Sequence, residues 1–161
     1  MSGVLEFTIP GEPRPKGRPR ASVVKGRVHM HTPEKTRAAE QTLAARAMPF
    51  RPREPLEGPV HLDVIFVLPI PKSMPRWQRA ALDAGSIQHT KKPDLDNLVK
   101  LLKDALNGLM WVDDSQVSSS TSQKCYGDVP RTWVRMTPLT QMTKERWAEL
   151  QAEEKAIKAA S

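Results

Sequence analysis

The sequence predicts a single α/β (α+β) domain, on three observations. Its 161 residues are about one domain's worth. A chain of that size buries roughly 70% of its unfolded surface and needs no disulfide staples. Val60 to Leu68 alternates in the way of a strand with one apolar face, and Asp94 to Leu109 carries an apolar stripe at helical spacing.

The elements follow in order. Val4 to Ile9 is a short strand, stopped by Pro10-Gly11. Ala21 to Val24 and Arg27 to Met30 are β-prone runs either side of Lys25-Gly26, a two-residue hairpin turn. Thr32-Pro33 opens a helix, with a hydroxyl at the N-cap and proline at the first helical position. That helix runs to about Met48, with Ala39, Leu43 and Ala47 on one face. Pro49 to Pro59 is a proline-rich connection. In the strand Val60 to Leu68, the residues Val60, Leu62, Val64, Phe66 and Leu68 share the apolar face, and Pro69-Ile70-Pro71 ends it. Pro75 to Ala84 is a short helix carrying Trp77, Ala81 and Leu82, closed by Gly85. The stripe of the next helix is Leu95, Leu98, Val99, Leu102, Ala105, Leu106 and Leu109, with Asp94 as N-cap and Asn107-Gly108 as the stop. Gln116 to Cys125 and Arg131 to Thr137 are β-prone, and the turn between them makes a final hairpin the expectation. Thr143 to Ala160 is a C-terminal helix with Trp147, Leu150 and Ile157 on one side and charge elsewhere, the pattern of a solvated lid on the core.

Composition narrows the function. Apolar residues at 39% and charged residues at 27% exclude a disordered chain. Twelve of the 15 prolines lie between Pro10 and Pro75, so the first half is rich in loops and strand edges. The longest apolar run, Val64 to Leu68, falls far short of the roughly 20 residues that span a bilayer, so no membrane partner is expected. The start, Met1 to Phe7, has neither a charged n-region nor an apolar h-region, so no signal peptide is expected. Cys125 is the single cysteine, which excludes an internal disulfide and a thiolate-cluster zinc site and makes a reducing, cytoplasmic setting the expectation. With 25 Lys and Arg against 18 Asp and Glu, the net charge is +7, which favours a polyanionic partner. P-loop, dinucleotide-turn, H-E-x-x-H and G-x-S-x-G motifs are absent, so no nucleotide cofactor is expected.

The chemistry concentrates in His89-Thr-Lys-Lys-Pro-Asp-Leu-Asp-Asn-Leu-Val-Lys100. With Asp94 in the extended conformation of a cap and Asp96 in the first helical turn, both carboxylates can face one point. Lys100 lies one turn beyond Asp96 on the same face. Two acids and a lysine thus converge at a helix N-terminus, where an anion or a phosphate is also favoured. Oxygen-only ligands with open positions suit Mg²⁺. Asp113-Asp114 follows on the next element and could complete a three-carboxylate site, with the lysine offsetting charge on a transferring phosphoryl group. Each part also has a plainer reading: Asp94 and Asp96 as helix caps that complement the dipole, and Asp113-Asp114-Ser115 as a turn. Arg14 to Arg27 holds six basic residues and no acid, either a solvated loop or a nucleic-acid contact. The four histidines lack ligand spacing.

Three segments together resemble the RusA family of Holliday-junction resolvases: Lys92 to Lys100, Asp104-Ala-Leu-Asn-Gly108, and Trp111-Val-Asp-Asp-Ser-Gln-Val117. Pro10 to Arg20, Val28 to Thr36 and Pro69 to Ser73 are similar to it as well, so the resemblance spans roughly residues 4 to 137. The family is common in phages and prophages. The resemblance implies a small mixed β-sheet flanked by helices, a homodimer, and Mg²⁺-dependent cutting of four-way DNA junctions. It implies metal binding by Asp94, Asp96 and Asp114, with Asp113 as a neighbouring ligand, and Lys100 as the catalytic lysine. It divides the chain into an endonuclease domain, residues 1–140, and a charged helical extension, residues 141–161.

The resulting expectation is a structure-selective endodeoxyribonuclease of recombination and repair, in a bacterial host or encoded by a phage. Asp94, Asp96, Lys100 and Asp114 form its catalytic set. Arg14, Lys16, Arg18, Arg20, Lys91 and Lys92 hold backbone phosphates of a four-way junction or other branched DNA. Two rivals stand beside it. One is a non-catalytic DNA-binding module. The other, a metal-dependent nucleotide-sugar transferase, is disfavoured by the short basic chain and by the missing nucleotide-binding half.

Overall fold

A computed structural model of the chain describes residues 3–160. Its elements in order are β1 (Leu5–Pro10), β2 (Arg20–Val24), β3 (Arg27–His31), α1 (Glu34–Ala47), β4 (Val60–Pro69), α2 (Arg76–Asp83), α3 (Leu95–Leu106), β5 (Val117–Gly127), β6 (Arg131–Pro138) and α4 (Lys144–Ala160). Short 3-10 turns follow α1 and precede β5.

Four strands form one sheet in the order β1-β6-β4-β5. β6 is antiparallel to both its neighbours, with Val134 opposite Phe7 of β1 and Val64 of β4, whereas β4 and β5 run parallel. The sheet is therefore mixed, and the α+β class holds. A parallel pair needs a long crossover. The chain from β4 to β5 supplies it through α2 and α3, and this crossover carries Asp94. β2 and β3 form a separate two-stranded ribbon. Lys25 (φ 49°) and Gly26 (φ 74°) both adopt the left-handed conformation of a type I′ turn, as their sequence suggested.

The expected final hairpin is not formed. β5 and β6 lie on opposite sides of β4, and the turn at 128–130 carries the chain across its end. The reason is visible in side-chain character. β4 is nearly all apolar, so pairing on both flanks removes it from the edge. β5 reads Ser-Ser-Ser-Thr-Ser over 118–122 and is exposed over 118–121, which suits an edge strand. Helix boundaries also move. Pro33 rather than Thr32 occupies the N-cap of α1. α3 ends at Leu106, because Asn107 turns extended and Gly108 takes φ 69°.

The core lies between one face of the sheet and helices α1 and α3. Leu98, Leu102 and Leu106 of α3 pack among Phe7 and Ile9 of β1, Leu62, Val64 and Phe66 of β4, and Val134 and Met136 of β6. Met110 and Trp111 are fully buried, while Trp77 and Trp147 are exposed. Across the other face runs a polar network. Arg135 grips Asp63 at 2.9 Å, Asp63 meets His61 at 3.1 Å, and His61 meets Ser119 at 2.7 Å. α4 forms as expected but does not cover the core: it has no buried residue, because its few apolar side chains are scattered among charges. No helix among the described residues is long and apolar enough to cross a membrane.

Candidate functional site

At the start of α3, Asp94 is the N-cap, extended at φ −71° and ψ 139°, and its carbonyl accepts the first helical bond from Leu98 N at 3.2 Å. Its carboxylate makes no capping bond among the described residues. The plainer reading of Asp94 as a side-chain cap is thus not the arrangement found. Asp96 follows in the first turn, with its carboxylate 3.7 Å from Lys100 Nζ. Both groups are well exposed, and a pair of this kind contributes about 0.5 kcal/mol or less. Either member can exchange its partner for a ligand at little cost.

The entry to α3 is held from β5. Lys124 Nζ donates to the carbonyls of Lys91 at 2.6 Å and Pro93 at 2.8 Å. Two residues further back, the ring of His89 is buried and lies 4.3 Å from that of Tyr126. Burial, with the charge of Lys124 adding, holds the His89 imidazole below its ordinary value. The side chains of Lys91 and Lys92 are left exposed.

The second acidic pair divides. Asp113 Oδ1 accepts from Ser115 N at 2.8 Å, and Gln116 Oε1 accepts from Asp113 N at 2.8 Å, a reciprocal capping box. The hydrogen bond from Ser115 holds the Asp113 carboxyl below the usual range. Asp113 therefore satisfies the turn reading. Asp114 faces α3 instead, 4.0 Å from Lys103 Nζ.

The basic loop before β2 is strapped across the same region. Lys16 N donates to Asn97 O at 2.9 Å, the Lys16 ammonium pairs with Asp104, and Gly17 N donates to Thr36 Oγ1 at 3.0 Å. A Cβ at Gly17 would sit 2.5 Å from that hydroxyl, so the close approach needs glycine. The hydrogen bond to Asp104 raises the Lys16 pKa, while burial and the nearby Asp104 push Glu40 up. Arg14, Lys16 and Arg18 of the loop then share a cleft of about 500 Å³ with Lys92, Asp94 and Asn97.

The structure thus brings Asp94, Lys92, Arg14, Lys16 and Arg18 into one cleft and pairs Asp96 with Lys100. Arg20 opens β2 outside this cleft. Among the described residues no three of His, Cys, Asp and Glu gather as a metal cluster. Sequence reasoning missed Lys124, whose role depends on β5 lying beside β4, and Asp104, which opens the Asp104-Ala-Leu-Asn-Gly108 segment with nothing local to announce Lys16 as its partner.

Comparison with known proteins gives these residues a context. The family model described as "Endodeoxyribonuclease RusA" matches residues 10–137. A Bacillus subtilis (strain 168) protein, "Uncharacterized protein YqaN", is 42% identical over 132 residues, covering 81% of this chain and 93% of that protein. The "Crossover junction endodeoxyribonuclease rusA" of Lactococcus phage r1t is 28% identical over 140 residues, covering 85% of this chain and 98% of the phage protein. The matched segment runs from the end of β1 through β6, including the loop, the start of α3 and the Asp113-Asp114 turn, and leaves α4 outside. This chain belongs to the RusA family of endodeoxyribonucleases.

Proposed function

We propose that the chain resolves four-way DNA junctions by Mg²⁺-dependent, paired nicking as a homodimer, with its catalytic centre at the start of α3. Nucleases of this family are generally metal-dependent. The observation that carries the reading is Asp94, an N-cap aspartate whose carboxylate does not cap and which lines a cleft walled by arginines.

The residues fit a hard cation by the chemistry of their donors. Asp94, Asp96 and Asp114 offer only oxygen, and Mg²⁺ usually takes one or two carboxylates and completes its shell with waters and substrate phosphates. A closed protein cage is not needed. When bound there, the ion would supply an activated water and neutralise charge on the scissile phosphate. The chain's own residues do the rest. Asp113 shapes the turn that presents Asp114. Lys100, released from Asp96, offsets negative charge developing on the phosphate. Arg14, Arg18, Arg20, Lys91 and Lys92 hold the flanking backbone phosphates by charge-assisted hydrogen bonds. Lys16, engaged by Asp104, fixes the loop over α3 and contributes its charge from there.

One site makes one nick, and resolution needs two on opposed strands. A two-fold dimer is the commonest closed assembly and matches the near two-fold symmetry of a junction. Incubation with a synthetic four-way junction and with a linear duplex of the same sequence, with and without Mg²⁺, tests the reading. Paired nicks on the junction alone, and only with Mg²⁺, are expected. Binding without any cutting would favour the non-catalytic module instead.

A further inference from the structure

The loop of residues 12–20 separates two clefts. One faces α3 and holds Asp94. The other, of about 870 Å³, lies against α1. Its floor is apolar, made by Ala39 and Leu43 of α1 and the buried Leu101 of α3. Its rim is cationic, with Arg18 and Arg20 from the loop side and Lys35 and Arg46 from α1. Glu12 lies in the lining too, but Arg14 pairs with it at 3.4 Å. Arg46 donates to Pro10 O at 3.1 Å, which fixes that wall to the end of β1.

We propose that this second cleft binds a single DNA strand, a few unpaired nucleotides leaving a branch point beside the strand to be cut. This rests on the reading of the Asp94 cleft as the cleavage site. Size selects a strand over a duplex. The volume is that of a pocket for a small ligand, which unpaired nucleotides can enter and a double helix cannot. Character selects nucleotides over a purely apolar guest. An apolar floor accepts base faces, the guanidinium and ammonium groups of the rim donate to phosphates, and the guanidinium planes stack on bases. Continuity links the two clefts, because Arg14 and Arg18 line both. A backbone that turns away at a branch point can therefore pass from one cleft to the other along the same two arginines. A linear duplex has no such strand to offer, so the cleft gives the protein a means to prefer branched DNA.

The test is fluorescence polarisation in EDTA, so that nothing is cut, with a labelled four-way junction, a linear duplex and an eight-nucleotide single strand. Wild type is compared with Ala38→Glu, which places a carboxylate in the cleft from an exposed position on α1 and adds no ring on which a base could stack, and with Lys35→Glu. Ala38→Glu should weaken single-strand and junction binding about tenfold, roughly the contribution of one nucleotide, and leave duplex binding within about twofold. Lys35→Glu should act in the same direction and reduce the single-strand salt slope by about 0.7. Unchanged junction and single-strand affinities in both variants would overturn the proposal, as would an equal loss on all three DNAs. If wild type cuts junctions and the variants bind as it does, the cleft alone is refuted. If wild type binds none of the three, the cleavage reading falls with it.

Discussion

Replacing Lys124 with methionine tests how the start of α3 is held. The substitution keeps most of the side chain's length and removes an ammonium that donates to the carbonyls of Lys91 and Pro93. The first bond lies in exposed surroundings, where water replaces the donor and little is lost. The second is partly buried, and a charge-assisted bond of that kind contributes about 1.5–2 kcal/mol. At roughly 2–4 °C per kcal/mol for a chain of this size, the melting temperature should fall by about 3–8 °C. The functional effect should exceed the stability effect, because the released segment ends at Asp94. A misplacement of about 1 Å can cost on the order of 100-fold in rate. Single-turnover cutting of a four-way junction should slow at least tenfold below the melting transition, with junction binding retained. A melting temperature within a degree of wild type, together with an unaltered rate, would show that Lys124 does not position the site.

Three further outcomes are expected. Arg18→Glu combined with Arg20→Glu should weaken DNA binding and flatten its salt dependence by about 0.9 in log–log slope for each lost phosphate contact, read by titration at several salt concentrations; an unchanged slope would make the segment a solvated loop. The raised pKa of Lys16, caused first by its hydrogen bond to Asp104, gives a stability contribution that is whole below the ordinary lysine value of 10.5 and fades as pH rises through the higher folded value. Thermal melts between about pH 9 and 12 should therefore fall more steeply for wild type than for Lys16→Met. Leu102→Ala, at a position only 1% exposed between helix and sheet, should cost about 2–5 kcal/mol in a denaturant titration by leaving a cavity under α3.

Legibility in the sequence followed the range of the interactions. α3 and β4 were plain because an apolar stripe at helical spacing and strict alternation report burial directly. The β2–β3 turn was plain because a two-residue loop selects its own residues. The placement of β5 was not, since two β-prone runs joined by a short turn look like a hairpin whether or not a third strand lies between them. Residues acting through their neighbours in sequence, such as Asp96 with Lys100, could be found. Lys124 and Lys16 act on partners 31 and 88 residues away, and no local pattern marks them. The difference between Asp113 and Asp114 also came from geometry: one accepts the Ser115 amide in a capping box, the other turns toward Lys103.

The central claim is that the carboxylate of Asp94, which makes no capping bond among the described residues, serves a metal-dependent cleavage centre. Asp94→Asn removes a carboxylate charge and leaves shape and the basic loop intact. One labelled four-way junction, bound in EDTA and then challenged with Mg²⁺, reads both properties on the same protein. The account predicts junction affinity equal to or tighter than wild type, since a like-charge repulsion with phosphate disappears, and no nicked product after Mg²⁺ is added. Cutting by Asp94→Asn at a rate close to wild type would contradict it.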